Sequence, residues 1–166
     1  MVILIVNDTI YYMPHIHEKV DFTAEVLVVF NNKVLLRLHD KYKIWLSVGG
    51  HIELDEDPVQ AALREVKEEV GLDVQIVGKL DCPDLDTENS REILPPRFIN
   101  RHRVSPTHEH VVFTYFATSQ TDKVQVGDID DKSHDWKWVS LEELETMDLV
   151  PRIRYYAKQA LKELSK

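Results

Sequence analysis

Short runs of branched apolar residues dominate the early part of the chain, and the spacing then lengthens to a helical one. Residues 1–6 read as a strand within an N-terminal extension, 1–21, that ends in His15-Ile16-His17. Residues 22–30 and 33–39 form two strand-like runs, and Asn31-Asn32 between them predicts a hairpin. Residues 44–48 are a shorter apolar run leading into Gly49-Gly50. A helix is expected from Pro58, with Asp57 as its N-cap, proline at the first helical position and Gly71 as its stop. The strand pattern returns at 72–80, 111–118 and 135–139, and Ser140-Leu141-Glu142-Glu143 is a capping box that opens another helix. In the C-terminal segment 148–166, Ile153, Tyr156, Ala157, Ala160, Leu161 and Leu164 recur at helical spacing, a stripe expected to pack on the domain rather than on a second copy. The polar stretch 81–108 holds four prolines and reads as a loop too long to be a mere connector.

Composition narrows the class. With 166 residues and 43% apolar content, the chain has the size of one domain and enough apolar side chains for one core, so 1–166 reads as a single unit. The formal charge of −9 argues against holding a nucleic-acid duplex, because such surfaces are basic. It leaves phosphate substrates open if cations stand between carboxylate and phosphate. A single cysteine, Cys82, makes no internal disulfide, and no basic leader or membrane-length apolar run appears, so the expected location is cytoplasmic.

The chemistry concentrates on the helix after Pro58. With Glu65 at 0° on a helical wheel, Glu69 falls at about 40° and Glu68 at about −60°, so three carboxylates share a face. Val59, Leu63, Val66 and Val70 fall at about 100–160° and read as the core stripe, with the acids at its edge. Like charges this close repel, and a hard divalent cation relieves the conflict by taking oxygen ligands. Taken alone, the acids also fit a solvated helix face, with Arg64 pairing to Glu68.

The surroundings decide between these readings. Gly50, Glu56, Arg64-Glu65-Val66, Glu68-Glu69 and Gly71-Leu72 fit the pattern G-x5-E-x7-R-E-U-x-E-E-x-G-U, with U aliphatic, at all nine specified positions over 23 residues. This resembles the Nudix box. Trp45 and Gly49-Gly50 before it, and the run from Trp138 to Leu144 after it, also look like the family, so the resemblance covers roughly 22–147. Many members carry proline before the double glycine, where this chain has Val48.

The resemblance implies an α/β (α+β) fold: a Nudix-type mixed β-sheet sandwiched between helices. It implies hydrolysis of a phosphoanhydride bond in a nucleoside-diphosphate-linked substrate, a nucleoside triphosphate or an NDP-X compound, with Mg²⁺ or Mn²⁺ as cofactor. Glu65 and Glu69 would be the principal metal ligands with Glu68 close by, the carbonyl of Gly49 would complete the site, Arg64 would orient the glutamates, and Glu56 would hold the loop. The expected partner is a small nucleotide-like molecule, with neither nucleic-acid duplex nor membrane, and the protein is a monomer or homodimer. Two alternatives share the fold: a nucleotide-sensing module without catalysis, and an isoprenoid-diphosphate isomerase, for which Cys82 is a poor nucleophile.

Outside the box the residues leave choices open. A general base must take a proton from the attacking water. Glu68 and Glu109 lead that choice, followed by Asp128, Asp130 and Asp131. Arg91, Arg97, Arg101 and Arg103 form an island of positive charge, with His102 among them; they either hold distal phosphates or pair with nearby acids. Arg37, His39 and His51 also lie within reach of a phosphate by sequence. His108 and His110 share a strand face, yet two histidines are too few for a structural zinc. Phe98, Tyr115 and Phe116 either stack a base or fill the core.

Overall fold

The computed structural model describes residues 3–6, 9–12, 19–39, 42–82, 85–125 and 135–165. His15, His17, Asp128, Asp130 and Asp131 lie outside them. β1 (Ile3–Val6) and β2 (Thr9–Tyr12) pair antiparallel as a separate two-stranded sheet.

An eight-stranded mixed sheet holds the rest together. β3 (Val20–Phe30) is its centre. It runs antiparallel to β4 (Lys33–Leu38), through a turn in which Asn31 and Asn32 have φ of 44° and 59°. β5 (Trp45–Leu46) pairs with β4, and β6 (Val48–His51) pairs with the first half of β3. α1 spans Pro58–Val70 and β7 spans Val74–Val77. β8 (Phe98–Ser105) turns directly into β9 (His108–Ser119), which lies parallel to β3. β10 (Trp136–Val139) closes the sheet beside β4, and α2 (Leu141–Thr146) and α3 (Pro151–Leu164) follow.

The expectation of a loop over 81–108 needs correcting, because its second half is β8, paired with β9 from Phe98 to Ser105. The alternation there is hidden because apolar Ile99 faces outward with Arg101 and Arg103, while polar Asn100 and His102 are half-buried beside Phe98.

Two helices cover opposite faces, and the period of β3 shows why. Ala24, Val26 and Val28 pack with Ala61, Ala62, Val66 and Val70 of α1. Leu27 and Val29 pack with Ile153, Ala157, Ala160 and Leu161 of α3. A strand buried on both faces carries continuous apolar residues and sends alternate ones to each helix. The α3 stripe thus packs on the sheet, as its spacing predicts.

α1 begins as the sequence implies. The Asp57 side chain accepts from the Val59 and Gln60 amides at 2.8 and 2.9 Å, and the Gln60 side chain returns a bond to the Asp57 amide. The helix ends at Gly71, whose φ is 67°. A Cβ there would meet the carbonyl oxygen of Gln125 at 2.2 Å, a backbone atom that cannot swing away. Gly71→Ala is therefore expected to lower stability by about 1–3 kcal/mol, the usual cost of a left-handed non-glycine residue, or somewhat more because of the clash. Urea denaturation measures it; an unchanged midpoint would contradict this account of the helix stop.

Candidate active site

The buried arc of α1 differs from the one the helical wheel suggests. Leu63 is exposed, and the buried residues are Ala61, Ala62, Glu65, Val66, Glu69 and Val70. The two alanines lie on either side of the acids, so Glu65 and Glu69 sit in the middle of the inward face rather than at its edge, while Glu68 is exposed. Alanine carries too little apolar weight to mark a stripe by eye, whereas Leu63 carries enough to mislead.

Buried carboxylates are costly unless paired. Arg64 forks onto Glu56, with Nε to Oε2 at 3.0 Å and Nη2 to Oε1 at 2.6 Å. The same side chain donates to the carbonyl of His51 at 2.9 Å, to Glu65 at 2.8 Å and to Glu68 at 3.2 Å. Arg37 of β4 reaches across to Glu69 at 2.8 Å, and the other oxygen of Glu69 accepts from the Gly49 amide at 3.0 Å. Helix, loop and two strands are thereby tied to one set of carboxylates. Burial pushes the Glu56 carboxyl up, but the Arg64 guanidinium and the Glu53 amide outweigh it and hold the group below its ordinary range. The Arg64 guanidinium is held protonated by Glu56 and Glu65.

The two glycines make the approach possible. Gly49 has φ of 151°, and a Cβ there would strike the carbonyl oxygen of Ala24 at 2.2 Å. A Cβ on Gly50 would fall 2.4–2.8 Å from both Glu65 carboxylate oxygens. The missing side chain thus leaves a cradle over the acid.

A cleft of about 1010 Å³ opens at this place. Glu65, Glu68, Glu69, Arg64, Arg37, Gly49, His51 and Arg103 all line it, together with His39 and Tyr42. Glu56, Glu109, Arg97 and Arg101 do not. Arg97 pairs with Glu163 of α3 at 2.7 Å, Arg91 pairs with Asp57, and Glu109 pairs with Arg101 and, at 3.7 Å, with Arg103. Phe98 stacks on Tyr156 at 4.4 Å, while Tyr115 and Phe116 are buried in the two core clusters.

One buried acid escaped the sequence reading. Glu25 accepts from Ser47 and Thr114 hydroxyls at 2.6 Å each, beneath the same cleft. The signal was the alternation Asp21-x-Thr23-x-Glu25 inside an apolar run, which puts three polar residues on one face of β3. That face also carries histidines: burial, and then the neighbouring His51, His102 and His108, push His110 down to about 4.

The NUDIX domain family model matches residues 22–160. The chain belongs to the Nudix family. It is similar to the crystal structure of a NUDIX-family hydrolase from Clostridium perfringens, at 36% identity and a TM-score of 0.79, over 87% of this chain and 98% of that one. Among curated relatives it is similar to a protein named probable DHNTP pyrophosphohydrolase from Lactococcus lactis subsp. cremoris (strain MG1363), 26% identical over 69% of this chain and 63% of that protein. It also matches an m7GpppN-mRNA hydrolase from Xenopus laevis, 44% identical over 35% of this chain and 22% of that protein. The match thus spans less than two thirds of the length of either curated relative.

Charge repulsion among Glu65, Glu68 and Glu69 taken alone predicts similar or higher stability for metal-free Glu69→Gln, but Glu69 also pairs with Arg37. Glu69→Gln removes a counter-charge from a nearly buried guanidinium. The expected loss is about 1–3 kcal/mol in the absence of metal. Chemical denaturation of the stripped protein reads it directly, and a gain in stability would mean that repulsion outweighs the ion pair.

Proposed function

We propose that this chain hydrolyses a phosphoanhydride bond in a nucleoside-diphosphate-linked substrate, a nucleoside triphosphate or an NDP-X compound, with Mg²⁺ or Mn²⁺. The observation that carries this reading is the burial of Glu65 and Glu69 in the middle of the α1 inward face, opening on a cleft beside Gly49 and Gly50. Helix stability gives no reason to keep two acids there.

The donor set fits a hard divalent ion. Glu65, Glu68 and Glu69 all line the cleft, and one nitrogen of Arg64 touches both Glu65 and Glu68, so these two carboxylates meet at a point that a cation can take. Bound there, Mg²⁺ or Mn²⁺ supplies charge neutralisation of the diphosphate and acidifies the attacking water. Arg64 and Glu56 orient the carboxylates, and the Gly49 amide holds Glu69. Glu68 is the better-placed base: it lines the cleft with an exposed carboxylate, whereas Glu109 is outside it and paired with two arginines. Tyr42, Ile44 and Leu46 offer the cleft an apolar wall suited to a base. The name of the Lactococcus relative supports a pyrophosphohydrolase. A nucleotide sensor is the second reading, but sensing alone gives no reason to retain every box glutamate.

The test is a panel of nucleoside triphosphates and NDP-linked compounds with Mg²⁺ or Mn²⁺, read by phosphate release with and without added pyrophosphatase. Turnover is expected for at least one compound, abolished by chelation, restored by either ion and reduced by orders of magnitude in Glu65→Gln. No turnover across the panel, or full turnover in excess chelator, would sink the reading.

Arg103 lines the cleft and Arg97 is tied to α3, so they should separate kinetically. Arg103→Ala is expected to raise KM with kcat nearly unchanged, a loss of roughly 1.5–3 kcal/mol, or about ten- to a hundred-fold in kcat/KM. Arg97→Ala should match wild type. Steady-state kinetics on the best substrate checks both; equal effects would remove Arg103 from the substrate contacts.

A further inference from the structure

A second cluster of ligand-type side chains gathers around the start of β3, with His51 and His110 of it lining the cleft. β6 and β9 flank the start of β3, one on each side, with Thr23 opposite His51 and Asp21 opposite His110. Registered neighbours and residues two apart in a strand share a face, so Asp21, His51, His108 and His110 converge from three strands. Asp21 is 1% exposed and His108 is 8% exposed. The Nε2 atoms of His51, His108 and His110 are all buried.

Three of these side chains stand together as ligands would, and His51 adjoins Asp21. One ligand atom from each of Asp21, His108 and His110 lies within 4.8 Å of the others. Oδ2 of Asp21 is 3.3 Å from His108 Nε2 and 3.4 Å from His51 Nε2. These separations are longer than a good hydrogen bond. Two ligands each about 2.0–2.1 Å from a tetrahedral zinc stand about 3.3–3.4 Å from each other. The His51 and His108 rings stand edge-on to His110, with centroids 5.0 and 5.2 Å away.

We propose that Asp21, His108 and His110, completed by a turn of the adjoining His51 ring, bind one zinc-class divalent cation. Three imidazoles and a carboxylate suit a borderline ion such as Zn²⁺, whereas the all-oxygen box site suits Mg²⁺ or Mn²⁺, so the two sites sort ions by ligand softness. With His51 turned in, four protein ligands leave no open position, which is the mark of a structural rather than a catalytic zinc. The ion staples β6 to β3 and β9 immediately before the box loop, and His51 then holds metal rather than phosphate. Two histidines in sequence fell short of a zinc site; the fold adds Asp21 and His51 from two other strands.

The test uses the full chain stripped of metal, loaded with Zn²⁺ and desalted, with bound zinc counted by mass spectrometry. Cobalt loading is the spectroscopic probe, since tetrahedral cobalt absorbs strongly in the visible. Wild type and the Glu65→Gln/Glu69→Gln double variant are expected to retain about one zinc per chain and to give the tetrahedral cobalt band. His108→Ala and His51→Ala should lose both; His51 is the less buried of the two and guards against a folding defect. A wild type that retains no zinc would overturn the proposal. So would zinc that persists in both histidine variants, or zinc lost in the box variant and kept in theirs.

Discussion

Burying Glu65 and Glu69 in the middle of a core helix face is the constraint around which this fold is organised. Apart from them, the face offers two alanines and two valines to the sheet. The acids are tolerated because Arg64 of the same helix and Arg37 of β4 reach them and because the Gly49 amide and the two bare glycine positions let the β6 backbone close over them. Each partner comes from a different element, so helix, loop and strands must be placed together before the charges are compensated. Such an arrangement is stable only as a unit, and it leaves carboxylate oxygens gathered at one end of a cleft.

The sheet supplies the other half of the design. Toward its middle, β3 divides its apolar side chains between α1 and α3. Toward its start the α3-side face turns polar, with Asp21, Thr23 and Glu25 in succession. There histidines from β6, β8 and β9 gather. The same cleft therefore meets hard oxygen donors on one wall and imidazoles on another.

Much of this was legible in the chain, and the parts that were not have physical reasons. The Asn31-Asn32 hairpin, the Asp57 cap, the Gly71 stop and the α3 stripe are local, and each emerges where its residues predict. The inward arc of α1 was misjudged because Leu63 is solvent-facing and alanines carry little signal. β8 is hidden in the sequence because two of its outward positions are arginines, its inward Asn100 and His102 are polar, and prolines precede it. The arginine island looked like one patch in sequence, but strand alternation and pairing scatter it, leaving Arg103 at the cleft and Arg97 against Glu163. Contacts between distant strands, such as Arg37 with Glu69 or Asp21 with three histidines, have no signature in spacing at all.

If the buried acids of α1 are there to hold a cation, the protein binds one without any substrate. Manganese titration of the metal-free protein, followed by the electron paramagnetic resonance signal of free Mn²⁺, addresses this without reference to any substrate. Wild type is expected to quench the free-ion signal on binding, and the Glu65→Gln/Glu69→Gln variant, folded by circular dichroism, to leave it at the level of buffer. Equal quenching by the two proteins would contradict the claim and make these carboxylates structural partners of Arg37 and Arg64 alone.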